Sequence, residues 1–356
     1  MNISALDRLR LFLRPPGRGL HTNSTGGWYA NSVLKKLYGT DSNKEVMAAW
    51  EESLQKLRRV EGVVFGIPSD IGAGILRGAN LGPIGVRDAY LTKYSSFPKT
   101  LVDIGDVIVI PQLLHDEMLN DKQLAASRSE LYPNRTVPLP VGPLSIAEAL
   151  FEALMELNPE LKIFMIGGDH SVSWPAMVHC HKRFGDSFGV LHFDAHSDLM
   201  ESRLGIKYCF ATWACHAARL IKPHQMVQVG VRTSTKTKQY WMEKFPLLQV
   251  WASEIPGRET EVISEILQYL VKSGVKRIYI TNDIDGTDPK YAPATGTPEP
   301  NGLGPQFVLG LIAAIRQKFQ LIGGDIVEVA PPLSGSRDFS KEKTCEVAAD
   351  YLHALF

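Results

Sequence analysis

Cysteine is scarce. Only Cys180, Cys209, Cys215 and Cys345 occur in 356 residues, none in a C-x-x-C pair, which excludes a disulfide framework. They read as reduced thiols of a cytosolic protein. Long apolar runs are also missing: none approaches the roughly 20 residues needed to span a bilayer. The opening Met1-Asn-Ile-Ser-Ala-Leu-Asp-Arg carries charges where a secretory signal has its apolar core. The expectation is a soluble, cytoplasmic protein with no membrane partner. Nor does charge of either sign prevail. Lys+Arg and Asp+Glu are both 38, and no basic run forms a patch for nucleic acid or another polyanion. Internal repeats and low-complexity tracts are absent.

What is present is ordinary globular composition, 44% hydrophobic and 21% charged, in a chain long enough to bury a large core. Residues 1–55 differ from the rest. They carry the loop-forming stretches Arg14-Pro-Pro-Gly-Arg-Gly and Asn23-Ser-Thr-Gly-Gly, flanked by helical segments, and read as an extension packed on a main domain spanning 56–356.

From about residue 60 short apolar runs recur. They are Val63-Val-Phe-Gly-Ile, Leu101-Val-Asp-Ile, Lys162-Ile-Phe-Met-Ile, Phe188-Gly-Val-Leu-His-Phe, Met226-Val-Gln-Val-Gly-Val, Leu248-Gln-Val-Trp, Arg277-Ile-Tyr-Ile and Leu321-Ile-Gly-Gly-Asp-Ile-Val. Each is too short for a helix and rich in β-branched or aromatic residues, as buried strands are. Amphipathic segments such as Ile146 to Leu157 and Glu261 to Ser273 lie between them. This alternation predicts a mostly parallel sheet of eight strands with helices on both faces. Periodicity alone does not separate an open sheet from a closed barrel.

Several strands end in polar clusters: Gly167-Gly-Asp-His-Ser, Asp194-Ala-His-Ser-Asp, Asn282-Asp-Ile-Asp and Asp325-Ile-Val-Glu. Ligands bind at the carboxyl ends of parallel strands, so the chemistry is already located. Asp194, His196 and Asp198 alternate along an extended segment and so share one face. Asp283 and Asp285 repeat the pattern, and His170 follows a Gly-Gly turn. Four carboxylates and two imidazoles cannot converge in a buried site without cations, because each carboxylate would force its neighbours to stay protonated. Such a mixed oxygen and nitrogen set suits Mn²⁺-like ions, and the number of carboxylates suggests two of them. Each fragment alone also reads as turn chemistry; three at successive strand ends do not.

These residues carry a resemblance. Gly167-Gly-Asp-His-Ser, His192-Phe-Asp-Ala-His-Ser-Asp and the long run from Asp283-Ile-Asp-Gly-Thr-Asp-Pro to Pro300-Asn-Gly-Leu closely resemble the signatures of the ureohydrolase (arginase/agmatinase) family, agmatinase above all. Gly66-Ile-Pro-Ser-Asp, Arg77-Gly-Ala-Asn-Leu-Gly-Pro, Asp103-Ile-Gly-Asp and Asp325-Ile-Val-Glu fit as well. The resemblance implies a three-layer arginase-like α/β fold with an open eight-stranded sheet. It also implies two Mn²⁺, with Ni²⁺ or another divalent metal as the variant. His170, Asp194, Asp198 and Asp283 would hold one ion, and Asp194, His196, Asp283 and Asp285 the other. Water activated between the ions would attack a guanidinium carbon and release urea and an amine. Asp198 would shuttle the proton and Glu328 would face the guanidinium. The subunit arrangement implied is a homotrimer or homohexamer.

The sequence departs from that family downstream. No His-Gly pair follows the Asp-Ala-His-Ser-Asp cluster; the stretch reads Gly205-Ile-Lys-Tyr-Cys-Phe-Ala-Thr-Trp-Ala-Cys-His, and Met200 stands where arginases have asparagine. Met200, Tyr208, Cys209, Phe210, Trp213 and His216 are therefore the candidate substrate-loop residues. The expectation is an apolar pocket, lined by Tyr208, Cys209, Phe210 and Trp213, that selects a small guanidino compound without an α-amino-acid head, its tail short and uncharged or aliphatic. His216 stands in for the missing histidine if the loop folds back. Two other readings stand beside this one: hydrolysis of a formimidoyl or other amidine bond on the same fold, and a metal-bearing scaffold whose substrate loop has degenerated.

Overall fold

A computed structural model describes residues 3–21, 27–135 and 137–356; Asn23 to Gly26 of the second loop-forming stretch lie outside them. The strands are β1 (Leu13–Arg14), β2 (Gly62–Gly66), β3 (Leu101–Val107), β4 (Lys162–Ile166), β5 (Gly189–Phe193), β6 (Met226–Val231), β7 (Leu248–Trp251), β8 (Arg277–Asp283) and β9 (Gln320–Val327). They form one sheet in the order β1-β3-β2-β4-β9-β8-β5-β6-β7. The eight strands from β2 to β9 are parallel and correspond to the eight apolar runs.

The ninth strand is a departure. Leu13–Arg14 pairs antiparallel with β3, and two residues before Pro-Pro-Gly give no periodicity to read. Its pairing covers an otherwise open sheet edge. Gly105, at φ 93°, permits it, since a side chain there would collide with the Arg14 carbonyl. Further contacts bind 1–55 to the sheet. The Gly17 N–H donates to Asp106 Oδ2 (2.6 Å) and the Trp50 indole to the Ile104 carbonyl (2.8 Å). Asp106 and Asp103 in turn pair with the fully buried Arg87 at 2.5 and 2.7 Å.

Alternate strand residues pack in opposite directions. Val63, Phe65, Ile163 and Met165 join one core with helices Ala5–Phe12, Pro143–Leu157 and Ser173–Phe184. Val64, Phe164, Ile166, Leu191 and Phe193 join the other with Gly82–Tyr94, Glu259–Lys272, Pro305–Lys318 and Lys343–Leu355. The fold is thus three-layered and open. β4 and β5 are consecutive in the chain yet separated in the sheet by β9 and β8. A crevice forms at the carboxyl ends where the winding reverses, and the four polar clusters emerge from these four adjacent strands. Among the described residues no helix is long and apolar enough to cross a membrane.

Candidate metal centre

The Gly167-Gly168 turn brings the end of β4 against its neighbours. A side chain at Gly168 would collide with the Ser69 carbonyl, so only glycine fits that approach. Asp169 then caps the following turn, its carboxylate accepting the N–H groups of Ser171 and Gly72 at 2.9 Å each. Asp169 is a turn residue, and His170 beside it projects into the centre. Its Nδ1 lies 3.0 Å from Asp283 Oδ2, 3.3 Å from Asp194 Oδ2 and 3.4 Å from Asp198 Oδ2. Its Nε2 meets Thr281 Oγ1 at 2.9 Å, and Thr281 donates to Asp325 Oδ1 at 2.7 Å. That outer pair fixes the ring with Nδ1 inward.

A second group adjoins the first. His196 Nδ1 lies 3.3 Å from Asp194 Oδ1 and 3.1 Å from Asp285 Oδ2. Asp285 is held by the Ala195 N–H and the Thr297 hydroxyl, at 3.1 and 2.7 Å, and its own N–H donates to Asp283 Oδ1 at 2.8 Å. Asp194 therefore faces both groups, one oxygen to each. The structure thus brings together all six side chains named as candidate ligands from the sequence: His170, Asp194, His196, Asp198, Asp283 and Asp285.

Electrostatics test whether this set suits cations. Burial, reinforced by the Asp194 charge, raises the Asp198 carboxyl well above the carboxylate range. Burial and Asp285 do the same to Asp283. Burial opposes charge on His170, yet hydrogen bonds to Asp194 and Asp283 raise it well above the usual imidazole value. At His196 burial is outweighed by Asp285, pushing the ring up to about 12. For Asp194 burial favours the neutral form, but hydrogen bonds from His170 and His192 hold it well below the ordinary range. Protons are crowded into two adjoining groups that share Asp194: His170, His192, Asp194 and Asp198 offer donor atoms within 4.8 Å of one another, and so do Asp194, His196 and Asp285. Divalent cations relieve that crowding, so the donor set fits them.

Asp198 and Glu328 share a backbone property. They lie at φ 52° and 60°, in the left-handed region that non-glycine residues rarely occupy. The Glu328 N–H donates to the Gly168 carbonyl at 2.7 Å, and its Oε1 accepts the His170 N–H at 2.8 Å. Burial and the Asp169 charge raise its carboxyl well above normal. It makes no ion pair with Lys or Arg among the described residues.

The substrate-loop residues divide. Tyr208, Cys209 and Phe210 line a cavity of about 560 Å³ with Ile71, Leu114 and Met118. The cavity shares the Gly72–Phe210 contact, a 3.0 Å backbone hydrogen bond, with the turn beside the centre. Trp213 does not line it. Its ring is buried, stacks on His170 at 4.5 Å and donates from Nε1 to Asp198 Oδ2 at 3.0 Å. The expected pocket aromatic is a wall of the carboxylate–imidazole cluster, because its helix, Trp213–Ala218, is tied to Asp198 by the Cys215 N–H donating to the Asp198 carbonyl at 3.2 Å. Met200 is 43% exposed and lies outside the cavity lining. His216 turns its Nε2 to the Lys207 carbonyl at 3.1 Å and so does not take the missing histidine's place. Arg77 and Arg203 also line the cavity. Arg77 opens one of the family-like runs but carries no pocket signal there, and Arg203 lies in no motif. The apolar wall is therefore edged by cationic side chains.

A carboxylate-rich cluster with imidazoles that could hold metal ions lies at the winding reversal of a three-layer α/β sheet. The chain belongs to the arginase family, whose description matches residues 60–356. It is an agmatinase-like ureohydrolase, a hydrolase of C–N bonds in linear amidines. It is 28% identical over 312 residues to agmatinase of Bacillus subtilis, covering 86% of this chain and 92% of the relative. It is 30% identical over 293 residues to human mitochondrial guanidino acid hydrolase, covering 78% of this chain and 74% of the relative. A crystal structure of a hypothetical agmatinase from Burkholderia thailandensis superposes with a TM-score of 0.63 at 26% identity, covering 84% of this chain and 86% of that one.

Proposed function

We propose that residues 56–356 form a binuclear metal-dependent hydrolase of a small guanidino compound, releasing urea and an amine, with 1–55 as an extension braced on the sheet edge. The observation that carries this is the pair of donor groups sharing Asp194, beside a buried carboxylate, Glu328, that has no Lys or Arg partner among the described residues. His170, Asp194, Asp198 and Asp283 would hold one cation, and Asp194, His196, Asp283 and Asp285 the other, manganese or nickel. Bound there, the pair supplies Lewis acidity and lowers the pKa of water towards neutrality.

The chain's own groups do the rest. Glu328 is buried with no Lys or Arg partner among the described residues, so a planar guanidinium docking on it gains charge-assisted hydrogen bonds that a neutral amide would not. Asp198, 3.4 Å from His170 Nδ1, would shuttle the proton that the leaving amine needs. The Thr281–Asp325 pair keeps the His170 ring from turning. The cavity beside Tyr208, Cys209 and Phe210 receives the tail and favours substrates without an α-amino-acid head. The assembly expected is a homotrimer or homohexamer.

The test is a urea-release screen of manganese- and nickel-loaded protein against L-arginine, agmatine and small guanidines with short tails. Urea from a guanidine lacking the α-amino-acid head, at higher kcat/KM than from L-arginine, is the expected result. L-arginine as best substrate defeats the substrate reading. Formamide from a formimidoyl compound, without urea from any guanidine, defeats the reaction assigned.

A further inference from the structure

His192 lies among the donor atoms that could hold the first cation, but its neighbours decide otherwise. It stands on β5 directly opposite Gln228 of β6, and Gln228 stands opposite Gln249 of β7. Trp251, two residues beyond Gln249, falls on the same face. The three inner side chains are fully buried. An indole N–H can only donate, so the Trp251 Nε1 contact at 3.0 Å makes Gln249 Oε1 the acceptor. Gln249 must then point its amide nitrogen at Gln228 Oε1, 2.8 Å away. Gln228 in turn presents its nitrogen to His192 Nδ1 at 3.0 Å and to the Ser197 carbonyl at 2.6 Å. A carbonyl only accepts, so the Ser197 contact fixes the Gln228 amide independently. His192 Nδ1 is therefore an unprotonated acceptor, and the proton sits on Nε2, which donates to Asp194 Oδ2 at 2.8 Å.

We infer that Trp251, Gln249 and Gln228 form a one-way hydrogen-bond relay that locks the tautomer of His192, making it a donor that aims the shared ligand Asp194 rather than a ligand itself. This rests on the binuclear reading above. The four residues are positioning residues. Gln228 has a double role, because its second amide hydrogen holds the carbonyl of Ser197, between His196 and Asp198. A neutral His192 held this way steers one Asp194 oxygen towards the His170 group and leaves the other for the His196 group. Partners of this kind around ligands typically change metal affinity 10–100-fold.

The decisive variant is Gln228→Glu, which keeps the shape and removes the donor. The new carboxylate accepts from Nδ1–H, the proton moves to that nitrogen, and a bare Nε2 is left facing Asp194. Mn²⁺ affinity of the metal-free protein, measured calorimetrically, should fall roughly 10–100-fold. In protein with isotope-labelled histidine, the two imidazole nitrogen resonances of His192 should exchange character. Trp251→Phe, at the partly exposed end, should weaken Mn²⁺ binding a few-fold in the same direction and serves if Gln228→Glu does not fold. Wild-type Mn²⁺ affinity in Trp251→Phe, together with unchanged imidazole resonances in whichever variants fold, overturns the relay. Wild-type protein that binds neither Mn²⁺ nor Ni²⁺ overturns the binuclear reading itself.

Discussion

The backbone N–H of His170 donates to Oε1 of Glu328 across 2.8 Å, joining the carboxylate proposed to face the substrate to the turn that carries a proposed metal ligand. The two functions are separable by substitution. Glu328→Gln retains an acceptor for that N–H but loses the charge, so kcat/KM for guanidines should fall roughly 10–100-fold with metal content unchanged. Glu328→Ala removes the acceptor too and should lower metal content as well. Elemental analysis beside steady-state kinetics checks both, and equal metal loss in the two variants contradicts the separation.

Asp283 touches both donor groups, Oδ2 facing His170 and Oδ1 accepting the Asp285 N–H. Asp283→Asn should abolish turnover and deplete both cations, since one bridging charge is removed. Retained turnover with near-normal metal content is the contrary outcome.

Trp213 supplies the indole N–H that Asp198 accepts. Trp213→Phe keeps the ring over His170 and deletes that bond. A hydrogen bond to a charged group is worth about 1.5–3 kcal/mol, so kcat should drop about 10-fold or more with little change in KM. Unchanged kcat would mean that the bond does not orient Asp198.

Cation uptake should expel protons. Folded-state values of His170, His196, Asp198 and Asp283 are all raised, so these groups hold protons more tightly than usual, and ligation must displace them. Mn²⁺ affinity should therefore rise with pH, and binding enthalpy should vary with the buffer's ionisation enthalpy. Buffer-independent enthalpy at pH 7 argues against this proton inventory.

His179 gives a pH signature away from the centre. It is buried against Phe151, ring centroids 5.0 Å apart, and burial lowers it from 6.5 to about 4. A depressed folded value means that the unfolded chain takes up the proton first. The stability it contributes is present above pH 6.5 and is lost as pH falls through about 4. Between pH 7 and 4 the wild type should lose about 3 kcal/mol more than His179→Leu in denaturant titrations. Parallel losses would remove His179 as the cause.

The sequence by itself determined the eight parallel strands, the place of the chemistry and the six candidate ligands. Each of these is written locally: a strand shows its burial within five or six residues, and Asp194-Ala-His-Ser-Asp carries three candidate ligands within five, although the chain bends there and is not extended. The role of Trp213 was not local. Its spacing from Asp198 says nothing until the loop folds, so an aromatic expected in the pocket became the donor behind a ligand. The two-residue strand β1 was illegible for the opposite reason, being too short for any period. Arg77 and Arg203 meet on one cavity only because two distant loops fold together. The relay through Gln249, Gln228 and His192 depends on strand register, which no single strand encodes. Register is fixed by burial of both faces at once, and that is a property of the whole sheet. Tertiary structure alone therefore decided which nitrogen of His192 carries the proton and how Asp194 is aimed.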